Sequence, residues 1–300
     1  MLTQSRLLLF AVCLLSGPLA RAEVGGVQDQ EDASPVRAAG GIFFQTKDQV
    51  LTVILPQSQG QPQKVRTQQK LPILISGGNF FVTAQGLTTI GQTGVSSFKP
   101  GMSDSQLVAV GLNYLVNEKD EITTINSAGK VVANHQKLSR RIAVSGGNYY
   151  ESPDGVITTI SSEGVVQAQT GPGTRIVGGG LGGNFFITSE GVRTVNQDGK
   201  LSAQPWTRSG AEVLWAGGSF FQLAEGLFWV SPSGEIIKTK LDLKSPVLKR
   251  GSIFLESREG LYTFGSAGQV FGPELLADPT ASAAPATPTE PEQVPVVVGD

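Results

Sequence analysis

The chain has 300 residues, 38 of them glycine, with 39% hydrophobic residues and a formal net charge of −2. That balance excludes the strongly basic footprint of a nucleic-acid binder. Its single cysteine, Cys13, excludes any disulfide or thiolate metal site from the rest of the chain.

Met1 to Arg6 carries one positive charge, and Leu7 to Leu15 is apolar apart from Cys13 before Gly17-Pro18 breaks any helix. Ala20-Arg21-Ala22 places small residues where a signal peptidase reads them, so a signal peptide over 1–22 with cleavage before Glu23 is expected. Phe10-Ala11-Val12 before Cys13 is a poor lipobox, with a bulky residue where a small one is wanted. The apolar run is shorter than the roughly 20 residues a spanning helix needs. No later stretch approaches that length, so no transmembrane segment is expected. Loss of Arg6 and Arg21 with the signal takes the net charge from −2 to −4. Absence of cysteine from the mature chain, and of any N-x-Ser/Thr sequon, favours a bacterial periplasmic or secreted protein.

Glu23 to Pro35 reads as a short flexible lead. From Val36 to about Ala277 the chain repeats itself. The segment Gly77-Gly78-Asn79-Phe80-Phe81 returns as Gly146-Gly147-Asn148-Tyr149-Tyr150 and Gly182-Gly183-Asn184-Phe185-Phe186. Weaker copies surround Ile42, Asn113, Ser219 and Ser252. Taking the residue after the glycine pair as marker gives positions 42, 79, 113, 148, 184, 219 and 252, spaced by 33 to 37 residues. Such a period is the signature of a repeat architecture.

Within a unit, an apolar run leads into the glycine pair, and the aromatic pair begins a second strand. A turn such as Gln85-Gly86 or Glu190-Gly191 opens a third strand. A turn ending in glycine, such as Gln197-Asp198-Gly199, opens a fourth. Four strands of about five residues with short connections consume roughly 35 residues. Helical repeats of that length would need a 3.6-residue periodicity, which is missing.

The paired aromatics decide how the sheets pack. Neighbouring side chains on a strand point to opposite faces, so Phe80 and Phe81 require both faces of their sheet to be buried. Propeller blades sandwiched between neighbours meet that requirement. The expected fold is all-β: a seven-bladed β-propeller of four-stranded blades over 36–277. Six blades plus an irregular terminal unit is the alternative, because the first and last copies are the weakest.

The pattern Phe-Phe-x-Thr-x-x-Gly-Leu/Val-x-x-Ile-x-x-x-Gly-x-Val resembles the blade repeats of several bacterial propeller families. These are the propellers of two-component sensor proteins, the NHL-type repeats and the virginiamycin B lyase group. The resemblance covers about Val36 to Leu276 and rests on turn glycines and core residues, so it implies a blade and no chemistry. The lyase group implies a histidine-and-acidic metal site. The residues around His135 match no such motif, and no catalytic residue is carried over. The glycine pair also resembles kelch repeats, whose downstream Tyr and Trp positions have no counterpart here.

Residue by residue, little chemistry emerges. His135, in the loop Asn134 to Lys137, reads as a solvated surface residue. Gly178-x-Gly180-x-x-Gly183 matches the dinucleotide fingerprint in letters, but the strand-like Asn184 to Thr188 follows where a helix is required. Asp198-Gly199 lacks the paired acidic ligands of a calcium loop and reads as a hairpin turn. Trp215 and Trp229 read as core, and Trp206, in a Pro-containing connection, as the most exposed tryptophan. Asn79, Asn113, Asn148 and Asn184 share one repeat position, which symmetry places in a ring near a central channel. They either bind a polar ligand there or shape each turn through side-chain-to-backbone bonds. Lys137, Arg140 and Arg141, and the cluster Lys238 to Arg250, read as a solvated rim. Asp278 to Asp300, rich in Pro, Ala and Thr, reads as a disordered tail, or as a tether docking through Val294 to Val298 by strand addition.

The expectation is an exported, non-catalytic, monomeric scaffold that binds an envelope protein or glycan, with no cofactor and no metal. Trp206 and the four asparagines are the candidate contact residues. The alternative is a metal-dependent lyase or hydrolase using carboxylates in the central channel.

Overall fold

A computed structural model describes residues 34–57, 60–91, 93–100, 107–170, 175–179, 183–207 and 212–276. The expected signal peptide, most of the expected lead and the Pro/Ala/Thr-rich tail lie outside the described residues. Every regular element among the described residues is a β-strand, and none of them forms a helix long and apolar enough to cross a membrane.

The strands form seven antiparallel sheets. Blade 1 holds β1 (Val36–Ala39), β2 (Phe43–Thr46), β3 (Val50–Leu55) and β4 (Gln63–Gln68). Blade 2 holds β5 (Ile75–Ser76), β6 (Phe80–Thr83), β7 (Gly86–Gly91) and β8 (Gly94–Pro100). Blade 3 holds β9 (Leu107–Val110), β10 (Tyr114–Asn117), β11 (Glu121–Thr124) and β12 (Gln136–Lys137). Blade 4 holds β13 (Val144–Ser145), β14 (Tyr149–Glu151), β15 (Ile157–Ile160) and β16 (Val166–Thr170). Blade 5 holds β17 (Ile176–Gly179), β18 (Phe185–Thr188) and β19 (Gly191–Thr194). Blade 6 holds β20 (Trp215–Gly217), β21 (Phe220–Leu223), β22 (Gly226–Val230) and β23 (Ile236–Lys238). Blade 7 holds β24 (Val247–Arg250), β25 (Phe254–Ser257), β26 (Gly260–Phe264) and β27 (Val270–Glu274).

One hydrogen bond recurs in every blade and fixes the repeat. The carbonyl of the residue before the first aromatic accepts from the third strand or the residue just beyond it: Ile54 N to Ile42 O, Ile90 N to Asn79 O, Ile125 N to Asn113 O, and so on to Phe264 N to Ile253 O at 2.9 Å. This corrects the sequence marker in blade 7. Its Gly251 N bonds to Phe254 O as Gly77 N bonds to Phe80 O, so Ser252 stands at the second glycine position and Ile253, not Ser252, is the equivalent of the asparagines. The seventh copy is complete, and the six-blade alternative does not apply.

Blade 5 departs from the four-strand expectation. Its outer edge is reduced to the isolated bridges Val195–Leu201 and Val192–Trp206. Pro205, just before Trp206, has no N–H to extend a ladder.

The expected burial of both sheet faces is realised. Phe80, Phe81, Phe185, Phe186, Phe220 and Phe221 are all fully buried. The first aromatic of one blade packs on the second of the next: Phe43 on Phe81 at 5.4 Å, Tyr114 on Tyr150 at 5.9 Å, Tyr149 on Phe186 at 4.9 Å and Phe185 on Phe221 at 5.4 Å between ring centroids. Leucine takes the second position in blade 3, where Leu115 clusters with Phe80. The core is therefore a set of layers between blades.

The ring closes between blades 7 and 1 without exchange of a strand, since each sheet consists of consecutive strands. Closure is made at every radius. Near the axis Ser252 N donates to Gly41 O at 2.7 Å. In the core Phe254 meets Phe44 at 5.5 Å. At the rim Lys64 and Arg66 of β4 pair with Glu274 of β27, Arg66 at 2.9 Å.

Candidate functional site

The hairpins joining the first and second strands converge on the axis and bond to one another through their backbones. Gly41 N donates to Gly77 O, Gly78 N to Leu112 O at 2.6 Å, and Leu112 N to Gly147 O at 2.5 Å. This proximity explains the glycine pairs, which the sequence reading left without a physical reason. A Cβ on Gly147 would lie 1.1 Å from Gly183 O, and one on Gly183 would lie 1.8 Å from Gly218 O.

Above this ring lies a cavity of about 560 Å³, within the range typical of small-molecule sites. All seven blades contribute the same repeat position to its wall: Ile42, Asn79, Asn113, Asn148, Asn184, Ser219 and Ile253. A second tier comes from the turns that follow the third strands, including Ser127, Ser162, Gln197 and Pro232. These turns bond in series, Ser127 N to Ser162 O at 2.7 Å, Ser162 N to Gln197 O at 2.6 Å and Gln197 N to Pro232 O at 2.8 Å. Sequence reasoning passed over this tier, although positions 127, 162, 197 and 232 repeat the blade period.

The four asparagines thus lie together on the axis, as symmetry implied. Their bonds differ from the turn-shaping role considered from sequence. Asn79 Nδ2 donates to Asn126 O at 2.7 Å, Asn113 Nδ2 to Ser161 O at 2.7 Å and Asn184 Nδ2 to Ser231 O at 2.6 Å. Each acceptor belongs to the following blade, so these amides clamp neighbouring blades together. Asn113, Asn148 and Asn184 are only 7, 5 and 6% exposed. The Oδ1 atoms of all four asparagines are buried without a hydrogen-bond partner.

Among the described residues, none of those lining the cavity is ionisable, and no cluster of three or more His, Cys, Asp or Glu occurs. Packed between blades 3 and 5, the phenols of Tyr114 and Tyr149 are pushed well up by burial. Tyr114 Oη donates to Tyr149 O at 2.7 Å. Both rings are therefore neutral packing groups.

Trp206 is not part of this site and is not the exposed residue expected. It is half-buried, with its ring 5.6 Å from Phe221 and 5.5 Å from Phe228, and its backbone bridges Val192. Trp229 is buried and donates from Nε1 to Ser252 O at 3.0 Å. Trp215 is half-buried, with the Arg250 guanidinium 5.7 Å from its ring. His135 lies on the surface, its Nδ1 3.3 Å from Glu121 Oε2. Arg140 pairs with Asp154, and Arg141 with Asp120 at 3.5 Å, a solvated rim as expected. The Asp198-Gly199 turn is held by Asn196 Oδ1, which accepts from Asp198 N at 3.0 Å and Lys200 N at 2.8 Å, with Gly199 at φ +77°. Of the dinucleotide-like segment, Ile176–Gly179 and Phe185–Thr188 are strands, and 180–182 lie outside the described residues.

Fold and cavity together define the class: a seven-bladed β-propeller with an uncharged axial site. No protein-family model matches the chain, and no curated protein matches it. Of the expected resemblance, the structure shows the propeller of small antiparallel sheets.

Proposed function

We infer that this chain is an exported binding scaffold of the bacterial envelope, recognising a protein or glycan partner through its propeller. One observation carries the reading: a cavity to which every blade contributes the same repeat position, mostly apolar, with a few polar side chains in its wall and no acid or base among its described lining residues. Acid–base catalysis needs a titratable group within hydrogen-bond reach of the reacting atoms, and the described lining residues offer none. Binding needs a preformed concave surface with a few fixed polar groups, and the wall supplies those.

The test is capture of the partner from the source envelope by the mature protein, with N-terminal sequencing of the periplasmic or secreted form. A start at Glu23 and capture by a chain ending at Leu276 support the reading. Retention of the first 22 residues in the cytoplasm, or capture only when residues 277–300 are present, overturns it.

A further inference from the structure

We propose that the axial cavity is a subsite for a neutral sugar ring, held with its hydroxyl edge toward blades 2 to 5 and its C–H face toward blades 7 and 1. The proposal rests on the binding-scaffold reading and supplies its ligand class.

The first argument is charge. Among the described residues the wall carries no acid or base, and moving an ion from water into a site with no counter-charge is costly. A phosphate or a carboxylate finds no counter-charge among these residues. The second is the sense of the hydrogen bonds. Each asparagine with an observed clamp has its Nδ2 committed to a carbonyl of the next blade. Flipping such an amide would set oxygen against oxygen, so Oδ1 is fixed as the acceptor. Four consecutive blades thus offer acceptors that no protein donor satisfies. A buried polar atom left unpaired is destabilising, so the outstanding demand of this arc is for donors. These oxygens are shielded from solvent. The terminal amide torsion is broad, which lets a small rotation turn them toward a ligand hydroxyl.

The third argument is asymmetry. The same repeat position that holds asparagine in blades 2 to 5 holds Ile42 in blade 1 and Ile253 in blade 7, and Leu55 and Pro56 extend the apolar side. At this repeat position an acceptor-bearing arc faces aliphatic side chains, which matches a molecule with hydroxyls along one edge and C–H groups on a face. A pyranose has that distribution.

Titration calorimetry on the mature protein tests this with N-acetylglucosamine, glucose, galactose and their β-linked disaccharides, beside glucuronic acid. Two variants accompany them. Ile42→Trp fills the cavity from its apolar side and leaves every asparagine clamp in place, and Asn148→Ala removes one acceptor. The expected result is saturable binding of at least one neutral sugar, weakened at least tenfold by Ile42→Trp at an unchanged melting temperature, with weaker binding of glucuronic acid. Loss in Ile42→Trp alongside tighter binding of glucuronic acid overturns the neutral assignment. Sugar binding indifferent to Ile42→Trp overturns the axial location. Failure of every sugar, in protein that still captures an envelope protein, overturns the sugar assignment and leaves the scaffold reading standing. Should Asn148→Ala fail to fold, Ile42→Trp alone decides.

Discussion

Ser34 donates its hydroxyl to Glu256 Oε2 over 2.7 Å, although 222 residues separate them in sequence. The same repeat position in blade 1 is Gln45, which accepts from Ile73 N and donates to Gln69 O and Leu71 O. In blade 4 it is Glu151, which accepts from Ile176 N at 3.0 Å. Gln45 and Glu151 each hold the segment that crosses to the following blade. Glu256 holds Ser34 in the same way, so the beginning of the propeller is gripped as though it continued from blade 7. Non-covalent closure thus reuses the contact that orders covalent crossovers.

This contact makes stability depend on pH. Burial pushes the Glu256 carboxyl above its ordinary value, against the pull of Ser34, Lys249 and Lys47. A carboxyl raised in the folded state contributes stability that is complete below its unfolded value, about 4.3, and lost as pH rises through the folded value. Glu256→Gln retains size and an acceptor for Ser34 but cannot ionise. Its melting temperature should match the parent protein near about pH 4 and exceed it at about pH 7.5. A difference that stays constant with pH would show that the carboxylate is not strained by burial.

The doubled aromatics should be equally costly to truncate, because each faces a different neighbour. Phe185 packs on Phe221 and Phe186 on Tyr149, and both are fully buried. Phe185→Ala and Phe186→Ala should each lower the unfolding free energy by about 3–5 kcal/mol, measured by urea denaturation. A large loss for one and almost none for the other would mean that one sheet face is not a core layer.

These aromatics also show why so much of the fold was readable. Residues such as Phe80 and Phe81 can be adjacent on a strand only if both faces are covered, and the even spacing of their copies sets the number of blades. The ring of asparagines was legible for a similar reason, since identical positions in a symmetric repeat must lie at one radius. What they bond to was hidden, because Asn113 reaches Ser161, 48 residues away in the next blade. Such a partner depends on the rotation between blades, which no local pattern records. Trp206 misled for the converse reason: a proline-containing connection looks exposed in sequence, yet here it folds back over Phe221 and Phe228. Blade 7 lost its true marker because Ser252 fills a glycine position, and only the Phe264 N to Ile253 O bond restores the register.

Close approach at the axis makes a sharp prediction about two glycines. Gly147→Ala would set a methyl 1.1 Å from Gly183 O, a backbone atom that cannot yield without shifting a neighbouring blade. The variant should fail to give a cooperative unfolding transition, or should be recovered only as aggregate. Gly60→Ala is the control, since its Cβ meets nothing within 4 Å and its only penalty is φ +82°. It should fold with a loss of about 1–2 kcal/mol, the cost of left-handed backbone for an L-residue. Soluble, cooperatively folding Gly147→Ala protein would argue against backbone contact between the hairpins.

The clamp at Asn113 can be tested by changing one atom. Asn113→Ala removes the donor to Ser161 O and the unpaired Oδ1 together, and the expected loss is about 1–3 kcal/mol. Asn113→Asp keeps the shape but turns an oxygen toward the Ser161 carbonyl at a residue only 7% exposed. At neutral pH that places a buried charge against an acceptor, so this variant should be less stable than Asn113→Ala. Protonation restores a donor to Ser161 O. The introduced carboxyl therefore has a raised folded pKa, and its contribution is complete below the unfolded value of about 3.9 and lost as pH rises through the folded one. Urea denaturation should rank Asn113→Asp below Asn113→Ala at about pH 7.5, with the gap closing toward about pH 4. If the two variants are equally stable at both pH values, the amide does not join blades 3 and 4, and the assignment of Oδ1 as the free acceptor loses its basis.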